Sequence, residues 1–211
     1  MISILAIRPL FVVSCLRLPY NTAVLHLKEF FAGKPSEWLF HEFPGTFHLN
    51  QVYIGMPPAG GAHKRRVGII DRERVTVLVA NLQDGWSSLA HALSSKTGTD
   101  AFVFSMSDSA RLANPINGFT YVMNGRTIRH VSVIKEDKWV FHQQGLPLPE
   151  EEVGAYKSRL KKDRLGPESV ESIANKLGFA IGAVDFYEPT FAGLFSEGEL
   201  RDPAKSLDLT D

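Results

Sequence analysis

The alternation of apolar and polar positions is most regular between residues 100 and 145, where it predicts a run of antiparallel strands. An almost continuous apolar stretch opens the run, as is typical of an interior strand. Two alternating stretches then flank Asn124-Gly125, a pair that favours a two-residue hairpin turn because both residues tolerate positive φ. A further strand after an acidic turn completes a predicted meander, which we place at the centre of the sheet.

The hairpin turn also predicts which side chains of the meander share a face. A turn at Asn124-Gly125 places Met123 opposite Arg126, and side chains then alternate between the two faces. The face expected to pack on the core carries Phe119, Tyr121, Met123, Ile128, His130, Ile134, Trp139 and Phe141. The other face is mixed in polarity, and a slip of one residue would exchange the two faces.

Helical periodicity predicts four helices around this sheet, at about residues 22–32, 85–97, 150–164 and 167–177. Pro149 followed by three glutamates is typical of a helix start, because proline fits the first turn and acids complement the positive end of the helix dipole. Further short strands are expected at about residues 3–7, 10–16, 37–42, 48–55, 67–70, 74–82 and 179–187. The chain is therefore predicted to be an α+β protein with a mainly antiparallel sheet.

Domain organisation follows from the breaks in these patterns. Residues 1–195 are predicted to form a single α+β domain, with the alternative of an N-terminal subdomain (1–56) joined by the Pro- and Gly-rich loop 56–66. Residues 196–211 contain five acids, two bases and few apolar residues, so we expect a flexible acidic tail.

Composition narrows the class of protein. The chain is 44% hydrophobic and 22% charged with zero formal net charge, so no bulk attraction to nucleic acid or to an anionic membrane is expected. Cys15 is the single cysteine, which excludes an intrachain disulfide and fits a reducing compartment. Arg8, Pro9 and Arg17 interrupt the apolar N-terminus, and no run reaches the roughly 18–20 apolar residues that span a bilayer. We therefore expect a cytoplasmic protein that does not contact a membrane.

The sequence contains no catalytic signature, and we predict no catalytic residue, metal site or cofactor. Seven histidines are scattered without metal-ligand spacing. A first group of candidate binding residues is His63, Lys64, Arg65 and Arg66, which follow two glycines and could meet a phosphate or an acidic protein surface. The alternative is an ordinary solvated basic loop.

A second candidate group lies on the predicted meander. Arg126, Arg129, His130 and His142 could form a polar pocket, with a helix-covered sheet face as the alternative. A basic run, Lys157 to Arg164, is interpreted as the charged end of the predicted helix at 150–164, because bases stabilise a helix C-terminus. Binding of nucleic acid by this run is the less favoured interpretation.

One block of sequence resembles a pattern found in small bacterial proteins. The block comprises Trp139-Val-Phe-His-Gln-Gln-Gly-Leu-Pro-Leu-Pro-Glu-Glu-Glu, then Tyr156, Arg159, Asp163-Arg164 and Leu177-Gly178. It covers roughly the C-terminal half. Many such proteins are uncharacterised, and some are similar to immunity proteins paired with secreted toxins. The resemblance implies a binder that occludes a cognate toxin, and it transfers no catalytic residues.

These observations together predict a non-enzymatic, cytoplasmic protein-binding module whose partner is another protein, with a bacterial immunity protein as the specific case. The alternative is a small-ligand-binding protein or an enzyme that uses the Arg/His pocket on the central sheet.

Overall fold

Nine strands form one sheet in the computed structural model, which describes residues 3–34, 36–45, 47–53, 64–188 and 191–198. The strands are β1 (Leu10–Leu16), β2 (Trp38–Pro44), β3 (Arg66–Arg72), β4 (Val75–Ala80), β5 (Ala101–Ser107), β6 (Ile116–Met123), β7 (Arg126–Lys135), β8 (Trp139–Gln144) and β9 (Phe191–Glu197). Their order across the sheet is β2-β9-β3-β4-β1-β5-β6-β7-β8, and every pairing is antiparallel. The predicted α+β class with a mainly antiparallel sheet is confirmed.

Helices cover both faces of the sheet. They are α1 (Ile4–Ile7), α2 (Tyr20–Ala32), α3 (Asn50–Tyr53), α4 (Ser87–Thr97) and α5 (Pro167–Lys176). The first face packs against α1, α3 and α5 around buried residues such as Phe104, Phe119 and Val131. The second face packs against α2 and α4 around Leu16, Leu27 and Leu89. The sheet therefore separates two hydrophobic cores, one on each side.

The predicted meander is present as β5 to β8, and its hairpin turns at Asn124-Gly125 with φ of 51° and 73°. It forms one end of the sheet, however, so its predicted place at the centre is wrong. The predicted core-facing residues of β6 and β8, Phe119, Tyr121, Trp139 and Phe141, do share the first face, but the predicted faces are wrong on β7. Met123 lies opposite Arg126, but Tyr121 lies opposite Arg129 because a β-bulge leaves one extra residue on β7. The bulge turns Arg129 and Val131 onto the first face with Phe119, and it turns His130 onto the second.

Three of the four predicted helices are confirmed, as α2, α4 and α5. The predicted helix at 150–164 is wrong: this stretch forms two separate 3-10 turns, Ala155–Lys157 and Lys161–Asp163. The acids that suggested a helix start make contacts outside any helix start. Glu151 accepts hydrogen bonds from groups outside any helix, and Ser158 adopts an extended ψ of 139° that ends the first turn.

Several short predicted strands are also corrected. Residues 3–7 form the one-turn helix α1, capped by Ser3, and residues 48–53 contain the one-turn helix α3. The predicted strand at 179–187 is instead a turn followed by the 3-10 helix Val184–Tyr187. The hydrophobic pattern did not predict β9. This strand lies between β2 and β3 and so joins β2 to the rest of the sheet.

Ser196 and Glu197, which were predicted to belong to the flexible acidic tail, belong to β9 instead. Residues 199–211 lie outside the described part of the chain, as does most of the predicted loop 56–66. Among the helices that the structure describes, none has the length and apolar character needed to cross a bilayer.

Candidate interaction surface

The β-bulge in β7 places a charged side chain, Arg129, inside the protein. Arg129 is only 1% exposed. Its Nε and Nη2 atoms donate hydrogen bonds to the carboxylate of Glu151 at 3.0 and 2.7 Å. Its Nη1 atom donates to the backbone carbonyls of Gln144 and Gly145 at 3.2 and 2.8 Å. The guanidinium is thus bound on both sides, by a carboxylate and by the end of β8.

Glu151 completes a buried network. Its carboxylate also accepts hydrogen bonds from the backbone N–H of Leu148 at 2.6 Å and from the hydroxyl of Tyr156 at 2.9 Å. Burial and the adjacent Glu151 carboxylate raise the pKa of Tyr156, so its hydroxyl stays a donor. A buried ion pair gains little net stability but fixes geometry when all its groups are satisfied. This network fastens the chain after β8 to the first face of the meander.

The stretch fastened in this way, residues 145–164, is called the irregular segment below. It lacks α-helix but is held by local hydrogen bonds, among them Ala155 N–H to the Glu152 carbonyl at 2.9 Å and Arg164 Nε to the Ser158 carbonyl at 2.9 Å. Three apolar side chains on it face solvent: Leu146 is 86% exposed, Leu160 52% and Val153 45%. They are three of the seven large apolar side chains that the described residues expose, and Leu146 is the most exposed of the seven.

Charge is distributed unevenly along the irregular segment. Near its start, Lys176 of α5 contacts the Glu150 carbonyl and the Glu152 carboxylate, both at 3.3 Å. The later part carries four exposed bases, for which the structure shows no ion pair within the described residues: Lys157, Arg159, Lys161 and Lys162. Since no helix forms here, the interpretation of these bases as a helix C-terminus is wrong.

The irregular segment borders an open edge of the sheet. Strand β8 is the last strand beside β7, and the turn Lys161–Asp163 packs against it. The guanidinium of Arg164 lies 5.2 Å from the ring centre of Phe141 on β8, and Phe141 also contacts Tyr156. The exposed bases therefore stand beside a strand whose outer backbone groups are available for pairing.

The predicted pocket of Arg126, Arg129, His130 and His142 is not assembled as one site. His130 and His142 share the second face of the sheet, whereas Arg129 is buried on the first. Arg126 is exposed at the hairpin end. The bulge that inverts Arg129 has no sequence signature, so the predicted register brought together side chains that lie on opposite sides.

His130 is held by two hydroxyl groups. Its Nδ1 lies 2.9 Å from Thr120 Oγ1 and its Nε2 lies 3.0 Å from Ser132 Oγ, and Ser132 itself is buried. Burial lowers the pKa of His130, and electrostatic interactions with His142 and Arg129 lower it further. The neutral imidazole is therefore the form that the fold favours.

This lowered pKa predicts a loss of stability in mild acid. The unfolded chain takes up a proton at a pKa near 6.5, before the folded protein does, so the free energy of unfolding should fall as the pH drops below that value. Denaturant unfolding at about pH 7.5 and about pH 5.5 should show this loss in the wild type and less of it in His130→Gln. His48→Gln, at an exposed histidine, is the matched control. An unchanged pH dependence in His130→Gln would contradict the assignment.

The predicted basic loop is only partly described. His63 lies outside the described residues, and Lys64 is exposed. Arg65 binds the Glu197 carboxylate at 2.8 Å, and this contact lowers the pKa of Glu197 to about 2. Arg66 is 6% exposed and donates to the Gln51 carbonyl at 3.0 Å. Arg65 and Arg66 thus connect the start of β3 to neighbouring elements. Of the described bases in this group, Lys64 is the one whose side chain is exposed.

Sequence reasoning missed Glu151 and the exposed leucines of the irregular segment. A signal existed in Gly145-Leu-Pro-Leu-Pro149, where two prolines disfavour both helix and strand around apolar residues. Comparison of the chain with models of protein families, with curated proteins and with solved structures found no match.

Proposed function

We propose that this chain is a non-enzymatic, cytoplasmic protein-binding module that meets its partner through the irregular segment and the adjoining strand β8. The observation that carries the proposal is the exposure of Leu146, Val153 and Leu160 on a backbone fixed by the buried Arg129–Glu151 pair. The later part of the same segment carries the exposed bases Lys157, Arg159, Lys161 and Lys162, which can meet an acidic partner surface. Fixing the apolar residues in advance lowers the entropy lost on binding.

The specific case that we propose is an immunity protein that occludes a cognate bacterial toxin. The residues that resemble the pattern of immunity-like proteins, Trp139 onward, coincide with β8 and the irregular segment. An immunity protein needs a preformed surface and no chemistry of its own. The buried network supplies the first requirement, since it places the Leu146 region without using an exposed polar group.

The alternative is a small-ligand-binding protein or enzyme that uses His130 and His142. The contacts of His130 with Thr120 and Ser132 are the observation in its favour, because a histidine next to a serine can act as a general base. Both ring nitrogens of His130 are already engaged, however, and Ser132 is 1% exposed. A substrate would have no direct approach to that hydroxyl, so we prefer the binding module.

The proposal is tested by co-expression with the proteins encoded in the neighbouring reading frames. We expect one of them to arrest growth when expressed alone and to be neutralised by this chain in a stoichiometric complex that gel filtration detects. Leu146→Asp combined with Leu160→Asp should abolish both protection and complex formation, because two buried charges at an interface core cost about 2–5 kcal/mol each.

Leu25→Asp is the matched control, since Leu25 is a 55% exposed leucine on α2 and lies outside the irregular segment. That variant should protect as well as the wild type. Three results would contradict the proposal: no neighbouring product bound by the chain, equal loss of protection in Leu25→Asp, or covalent alteration of the neutralised protein, which mass spectrometry would detect.

A further inference from the structure

The two edges of the nine-stranded sheet differ in how they are protected against pairing. Strand β2, at one edge, contains Glu42 and ends in Pro44, and both residues are typical of protected edge strands. Strand β8, at the other edge, has the sequence Trp-Val-Phe-His-Gln-Gln, with neither an acid, a lysine, an arginine nor a proline. Its composition favours strand pairing, and among the described strands it pairs with β7 alone.

The surroundings of β8 indicate what kind of strand would pair with it. The turn Lys161–Asp163 packs against β8, and it belongs to a stretch of eight residues, 157–164, with five bases and one acid. The bases Lys157, Arg159, Lys161 and Lys162 are exposed, and no ion pair is shown for them in the ranges that the structure describes. A segment that lies along β8 would therefore be drawn in by negative charge.

We infer that β8 accepts an acidic, extended segment of the partner protein as a tenth strand of the sheet. This inference rests on the proposed function and specifies the chemistry of the partner. Main-chain hydrogen bonds to β8 would supply affinity, and the bases beside it would select acidic side chains. The exposed Leu146 and Leu160, near the two ends of the irregular segment, would pack against apolar residues of the same partner.

The pairing is tested with the isotope-labelled full chain and two synthetic peptides. One peptide alternates Glu with Val, and the matched peptide carries Lys in place of Glu. Only the acidic peptide should bind, and it should slow hydrogen exchange of alternate backbone amides between Trp139 and Gln144 by about tenfold or more, because an added strand protects the outward-facing N–H groups. Its affinity should fall as salt is raised.

Charge reversal locates the site. Lys161→Glu with Lys162→Glu should weaken binding of the acidic peptide by about tenfold or more. Lys28→Glu with Lys34→Glu, the same charge change in α2 and just after it, should leave the affinity unchanged. Exchange protection of β8 that depends on protein concentration without any peptide would instead identify a second copy of the chain as the occupant. Binding of a DNA or RNA oligonucleotide in place of the acidic peptide would also overturn the inference.

Failure of this inference is distinguishable from failure of the proposed function. If a neighbouring gene product is neutralised in a complex in which the amides of β8 remain unprotected, the binding function stands and the added strand is wrong. If the acidic peptide pairs with β8 but no neighbouring product is bound, the strand-accepting edge stands and the immunity function is wrong.

Discussion

Replacing Glu151 by alanine is expected to destabilise the protein by about 3–5 kcal/mol, because it leaves the guanidinium of a buried arginine without its counter-ion. Arg129 is 1% exposed and has no route to solvent that would satisfy its charge. The N–H of Leu148 and the hydroxyl of Tyr156 lose their acceptor as well. Denaturant unfolding should show the loss as a lower midpoint.

Two comparisons separate the buried charge from a general effect of mutation. Glu152→Ala removes a neighbouring acid that pairs with Lys176 at the surface, and it should cost about 0.5 kcal/mol or less. Arg129→Met with Glu151→Met removes both charges and should recover much of the stability lost in Glu151→Ala, since an apolar replacement leaves no uncompensated charge. If Glu151→Ala cost no more than Glu152→Ala, the network would not fasten the irregular segment.

The fold was predictable where local chemistry and tertiary packing agree. Asn124-Gly125 favours a tight turn, and the strands on both sides of it pair as a hairpin. The apolar residues of α5 recur at helical spacing, and these residues are buried against β5 and β6. These elements follow from spacing alone. The prediction failed at residues 150–164, where glutamates and good helix formers suggest a helix. The carboxylate of Glu151 instead accepts hydrogen bonds from Arg129 on β7. Such a long-range contact leaves no local pattern.

Register and sheet order show the same limit. The bulge in β7 adds one residue, and the side chains of β7 that follow it lie on the faces opposite to those predicted. Strand β9 pairs with β2 and β3, more than a hundred residues earlier in the chain, so its place in the sheet depends on partners that its own seven residues do not encode. The candidate surface could not be predicted from the sequence for the same reason. It depends on Arg129 pointing inward and on β8 being the terminal strand.

The turn that begins the irregular segment depends on a single glycine. Gly145 has φ of 80°, and a Cβ at this position would collide with the backbone carbonyl of Ile128. Its own carbonyl accepts a hydrogen bond from Arg129 at 2.8 Å. A side chain here would therefore strain the backbone and also displace an acceptor of the buried guanidinium.

Gly145→Ala is accordingly expected to lower the free energy of unfolding by about 3 kcal/mol, the sum of left-handed strain and a backbone collision. Gly154→Ala is the matched control in the same segment, because Gly154 has φ of −59° and open space around its Cα. That control should be neutral or stabilise by about 0.4–1 kcal/mol, since alanine reduces the entropy of the unfolded chain.

Equal stabilities of the two variants would mean that the β7–β8 register does not place Gly145 against Ile128. If Gly145→Ala still folds at low temperature, it should bind the proposed partner more weakly than Gly154→Ala does, because Leu146 follows the strained residue directly and would be moved from the position in which we propose that a partner meets it.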